Sequence, residues 1–102
     1  MGVKKSVEEV LILDGSIEEL MNVCTKSLER ADFSRIEVNK DLHQITAAHR
    51  KFTVWGTISI ILSPENANTT KLSITATANV DNAFALFKNP GKEIIGAFKN
   101  NI

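Results

Sequence analysis

Val54-Trp55-Gly56-Thr57-Ile58-Ser59-Ile60-Ile61-Leu62 and Leu72-Ser73-Ile74-Thr75-Ala76-Thr77-Ala78-Asn79-Val80 are the two stretches that decide the fold. In both, the even positions are apolar or glycine. In the second, every odd position is Ser, Thr or Asn. A period of two puts neighbouring side chains on opposite faces of a strand, so each stretch reads as a strand with one greasy and one polar face. Pro64-Glu65-Asn66-Ala67-Asn68 lies between them and supplies turn chemistry. The pair is therefore an antiparallel hairpin, one face on a core and the other in water.

Working outward from the hairpin, Val7 to Leu13 reads as a first strand. Gly15 breaks it. Ser16, followed three residues later by Glu19, has the spacing of a capping box, and Glu18 and Glu19 suit the positive end of a helix dipole. Ile17, Leu20, Met21, Cys24, Leu28 and Ala31 then recur at intervals of three and four. That is one apolar stripe of an amphipathic helix ending near Ala31-Asp32. Ile36 and Val38 alternate with polar residues in a second strand. Asn39-Lys40-Asp41 is a turn, and Ile45 and Ala47 begin a third strand that runs to about Arg50. Asn89-Pro90 opens a last helix, with Asn as cap and Pro in the first position. Its stripe is Ile94, Ala97 and Phe98, with Ile95 beside it. Phe84, Leu86 and Phe87 are too apolar for a free loop and are expected to pack down.

The order is β-α-β-β-β-β-α. The expected fold class is α+β in two layers, a single antiparallel five-stranded sheet with two helices on one face. At 102 residues the chain has the length of one such domain, expected to span 1–102.

This order resembles a family of small bacterial domains. The matching pieces are Ser16-Ile17-Glu18-Glu19, Ile45-Thr46-Ala47-Ala48, Trp55-Gly56-Thr57-Ile58-Ser59-Ile60 and Asn89-Pro90-Gly91-Lys92. Thr57 departs from it, since the family often has an acid after the glycine. The order is also similar to half of a TATA-box-binding-protein-like unit and to a trimmed helix-grip (START-like) domain. These resemblances imply a fold and bring no catalytic residues with them.

Twelve basic and twelve acidic residues cancel. That argues against a general binder of nucleic acid or anionic membrane, whose affinity rests on excess positive charge. One cysteine excludes an internal disulfide and a cysteine-rich zinc site. No apolar run approaches the ~20 residues of a membrane span, and acids interrupt any leader-like segment, so the expected compartment is the cytoplasm. Acids gather near the start of the chain and lysines near its end, a distribution suited to bringing the termini together or to head-to-tail association.

The reactive groups are few. His43 and His49 share a strand parity, and six residues place them about 20 Å apart on a regular strand, too far to share a metal ion. Both read as surface or strand-end histidines. Cys24, inside the helix stripe, reads as a core residue. Arg50, Lys51, Lys88, Lys92 and Lys99 read as a solvated basic edge. No catalytic, metal-binding or cofactor-binding residue stands out, and the expectation is a chain that is not an enzyme.

Two functions fit. One is a protein-interaction module, binding a protein partner or a second copy of itself through the outer sheet face, where Trp55 and Ile61 break a polar surface shared with Thr57 and Thr75. The other is a carrier of a small apolar ligand. Its pocket would lie between the sheet and the last helix, lined by Phe84, Phe87 and Phe98, with Gly56, Ala76 and Ala78 leaving space on the inner face.

Overall fold

The computed structural model describes residues 3–51, 54–80 and 90–102. Its elements are β1 (Val3–Asp14), α1 (Ile17–Arg30), β2 (Ser34–Asn39), β3 (Gln44–Lys51), β4 (Val54–Pro64), β5 (Thr69–Val80) and α2 (Pro90–Lys99). The strands form one sheet in the order β1-β5-β4-β3-β2, and every neighbouring pair is antiparallel. The α+β class and the five-stranded sheet are as the sequence predicts. Leu86 and the cap at Asn89 fall outside the described residues.

The hairpin of β4 and β5 has the register that the alternation implies. Ile58 pairs with Ala76, Ile60 with Ile74 and Leu62 with Leu72, and all six are buried. Thr57 pairs with Thr77 and Ser59 with Thr75 on the opposite face. Within the turn, the Asn66 side-chain oxygen accepts from the backbone N–H of Asn68 at 2.9 Å and of Thr69 at 3.1 Å. This local bond is why Asn serves at that position.

β1 is longer than its hydropathy suggests. It pairs with β5 from Val3↔Val80 to Asp14↔Thr69. Backbone pairing extends it through a polar stretch that carries no alternation. At the other edge β2 shifts register between Ser34 and Glu37, and Arg35 takes a φ of 51° there. An extra residue bulges out of the ladder at that point.

Helix α1 starts where Gly15, at φ 129°, turns the chain out of β1. The Ser16 hydroxyl accepts from the Glu19 N–H at 3.2 Å. Leu20, Met21, Cys24 and Leu28 are buried along one stripe, and Ser27 with them. At the end of the helix the Phe33 N–H donates to the Leu28 carbonyl at 3.0 Å, and the Asp32 N–H to that of Glu29 at 3.1 Å. With Asp32 at φ 63° this is a Schellman closure. Phe33 and Leu28, both buried, make its hydrophobic contact.

Both helices lie on the inner sheet face. The core joins Leu20, Cys24 and Leu28 from α1 to Ile94, Ile95 and Phe98 from α2 over the isoleucines of β4 and β5. Fully burying one such side chain contributes roughly 1.5–3 kcal/mol before entropy is counted. The two ends of the chain do meet, because Lys99 of α2 forms an ion pair with Glu9 of β1. Ser27 adds a second tie: its hydroxyl lies 2.9 Å from the Asn101 carbonyl and 2.9 Å from that of Val23, and its one proton serves both.

Candidate functional site

Paired strands turn the outer face into a grid. One row runs Glu37, Thr46, Ser59, Thr75, Glu8. The next runs Ala48, Thr57, Thr77, Ser6. Hydroxyls fill its centre, with Ser6 and Thr77 bonded at 3.1 Å and the Gln44 amide donating to Ser59 at 3.1 Å. Trp55 and Ile61 are both on this face and 44% and 47% exposed. They stand at opposite ends of it, divided by Thr57 and Ser59. The Arg50 guanidinium lies 4.9 Å from the Trp55 ring centroid, within the reach of a cation–π contact. Val10 and Ile12 of β1 are also exposed, and Val10 shares a row with Ser73 and Ile61. The sequence reading missed both, though their even numbering in β1 carries the signal.

On the inner face, only part of the pocket expected beneath the last helix falls among the described residues. Phe98 is fully buried in the core. Phe84 and Phe87 lie outside the described residues. The space read at Gly56 receives a side chain instead, because a Cβ there would fall 3.0 Å from Ile94 Cδ1, 2.9 Å from Ala78 Cα and 2.2 Å from the Thr77 carbonyl oxygen. Small residues in that column let α2 settle onto the sheet.

Open space among the described residues lies at the β2–β3 end of the sheet, where a shallow hollow of about 700 Å³ is lined by Glu37, Asp41, Gln44 and Thr46. A crease of about 540 Å³ runs between α1 and the β2–β3 turn, lined by Glu18, Met21, Asn22, Thr25, Val38, Lys40 and His43. Val38 pairs with Ile45 and so faces the helix layer, yet it is 42% exposed because α1 does not reach over it. Met21 closes the inner wall. Backbone bonds set the turn: His43, at φ 50°, accepts from the Leu62 N–H at 2.9 Å, and Asn39 Oδ1 accepts from the Leu42 N–H at 3.2 Å. A smaller cleft of about 450 Å³ at the start of α1 shares Glu18 and His43 with the crease. Sequence spacing gives no sign of either, since Met21 and Val38 stand seventeen positions apart.

Other groups are placed plainly. His43 is exposed, as expected. His49 is not a surface residue: it is only 7% exposed, and its ring meets Phe33 edge-on with centroids 5.1 Å apart. Ile45, Ala47 and His49 share one parity, so the strand carries all three into the core. Cys24 is fully buried, and burial pushes its thiol from 9.0 up to about 12. Of the basic edge, Arg50 lies over Trp55 and Lys99 pairs with Glu9, while Lys88 lies outside the described residues. Among the described residues no group of three or more His, Cys, Asp or Glu is placed to hold a metal ion, and no helix is long and apolar enough to cross a membrane.

The element order and the two helices on one sheet face match known structures. The fold is of the helix-grip kind. A truncated norcoclaurine synthase from Thalictrum flavum is similar at TM-score 0.67 and 11% identity, over 98% of this chain and 91% of that one. The adenylate sensor of AMP-activated protein kinase, solved with a ribofuranotide, is similar at TM-score 0.70 and 12% identity, over 89% and 92%. The Zhui aromatase/cyclase from Streptomyces sp. R1128 is similar at TM-score 0.63 and 11% identity, over 97% and 87%. No family model matches the chain, and no curated protein matches its sequence.

These likenesses correct the expectation that the chain is not an enzyme. The fold is one on which a synthase and an aromatase/cyclase are built. A scarcity of linear motifs therefore does not speak against catalysis here, because a helix-and-sheet interior assembles its groups from distant positions, as the crease itself does with Met21 and Val38.

Proposed function

We infer that this chain is a small-molecule-binding domain, and that its ligand lies in the crease between α1 and the β2–β3 turn. The observation that carries this reading is the exposure of Val38 on the helix-bearing side of the sheet, beside the wall formed by Met21. An apolar side chain left open between a helix and a sheet gains from a partner. Polar groups rim the same space and serve to orient a bound molecule. Lys40 and His43 come from the turn and Glu18 from the helix, so the site favours an amphipathic molecule. Its apolar body rests on Met21 and Val38, and its anionic or acceptor end points toward Lys40 and away from Glu18.

The fold likenesses support the reading in kind, since two of the similar structures are enzymes that act on small molecules and a third was solved with one bound. The test is a titration with anilinonaphthalene sulfonate, an amphipathic aromatic anion, followed by amide shifts. The shifts should gather at Met21, Thr25, Val38 and His43. Val38→Lys should weaken the binding at least tenfold while the remaining spectrum is kept. Shifts that gather elsewhere, or binding untouched by Val38→Lys, would remove the crease as the site.

A further inference from the structure

We propose that the outer sheet face binds a second copy of this chain, about a two-fold axis that crosses the strands between the Thr57 and Ser59 rows, setting Trp55 of each copy against Ile61 of the other. The two exposed apolar residues of β4 lie symmetrically about that line. The axis therefore turns two separate ends of one face into two matched contacts, as a self-complementary interface requires.

Charge chooses between the possible axes. An axis running along β4 would also superpose the faces, but it would exchange the two edges of the sheet. Glu8 and Glu37 occupy opposite ends of one row, so that axis lays acid on acid twice. The axis across the strands sets Glu8 against Ser6 and Glu37 against Ser34, with no like charges opposed. It also brings Arg50 over Gln44 of the second copy. Gln44 already donates its amide N–H to Ser59, which leaves the amide oxygen to accept from that guanidinium. The middle of the face holds hydroxyls and no charge, and absence of charge at the centre is usual for an interface core.

The area is sufficient. Five strands at ~4.8 Å spacing and about nine residues at ~3.4 Å rise give a face of roughly 700 Å² per copy. Stable interfaces bury about 600–1,000 Å² per partner, a range that includes this face. Two sheets packed in this way stand ~10 Å apart, like the layers of a sandwich.

Light scattering over a concentration series should show the mass rise from 11.2 kDa toward twice that value. Trp55→Glu and Ile61→Lys, each alone, should return the protein to monomer. Together they should restore the dimer, because each introduced acid then faces an introduced base of the other copy. In a sample mixed from two isotope labels, the unmodified protein should show contacts between the Trp55 indole and the Ile61 methyls of different copies. A monomer at every concentration would overturn the proposal. So would a folded double variant no more dimeric than the singles, or a dimer lacking the Trp55–Ile61 contact.

Discussion

Ile94 of α2 sits on Gly56 of β4, its Cδ1 3.0 Å from the point where a Cβ on that glycine would lie. The contact fixes how closely the last helix approaches the sheet. It also shows why a glycine stands inside a strand, where it otherwise weakens pairing.

Gly56→Ala should therefore destabilise the protein. The added methyl meets backbone on one side, 2.2 Å from the Thr77 carbonyl oxygen, as well as a movable side chain on the other. Overpacking of this kind costs roughly 1–3 kcal/mol. Urea melts should show a lower midpoint with the slope unchanged. Shortening the opposing residue, Ile94→Val, in the Gly56→Ala background should recover little of the loss, because the clash with Thr77 remains.

Asp32→Gly should stabilise. Asp32 holds φ 63° at the end of α1, and both of its capping bonds are made by backbone groups. Glycine adopts that conformation without the penalty of a Cβ, which is roughly 1–2 kcal/mol per residue. The greater freedom of glycine in the unfolded chain offsets part of this. A gain of about 0.5–1 kcal/mol in thermal or urea unfolding is expected. A loss would mean that the Asp32 side chain contributes more than its strain.

Ser16→Ala should cost about 1 kcal/mol, the usual loss for a deleted N-cap. The Glu19 N–H bonded to this hydroxyl at 3.2 Å would be left to water. Ser16→Asp should retain the stability, since a carboxylate accepts the same bond and suits the helix dipole. Equal melting of all three proteins would show that the cap contributes nothing.

The hairpin and α1 could be read from sequence because each follows a single period. Thr57, Ser59, Thr75 and Thr77 differ from Ile58, Ile60, Ile74 and Ala76 in kind as well as in parity, so a slip by one residue would expose the core. The start of β1 could not be read, because its pairing with the end of β5 is made by backbone and leaves no pattern in side chains. At His49 chemistry and parity disagree: the ring is polar, but the strand carries it inward to Phe33. Gly56 was recognised as small and read as space, whereas the helix that fills the space arrives from residues 38 positions later in the chain. The crease was invisible for the same reason, since only the folded chain brings Met21 beside Val38.

Cys24 gives a pH dependence with a definite sign. Its thiol lies fully buried in the α1 stripe, and burial raises it from 9.0 to about 12. Between those values the unfolded chain has lost the thiol proton and the folded chain has kept it. The folded state then binds more protons, so stability falls as pH rises. This contribution is complete below pH 9.0 and is lost progressively toward about pH 12, with a limiting slope of about 1.4 kcal/mol per unit. Urea midpoints of the native protein should drop more steeply from pH 9 to pH 10.5 than those of Cys24→Ala, measured from each protein's own value at pH 8. That comparison removes the contribution of lysines common to both. The same burial makes the native thiol inert: at pH 8 a disulfide reagent should modify it only as fast as the protein opens, and urea should accelerate the reaction. Rapid labelling without urea, or parallel pH curves for the two proteins, would place Cys24 outside the closed core.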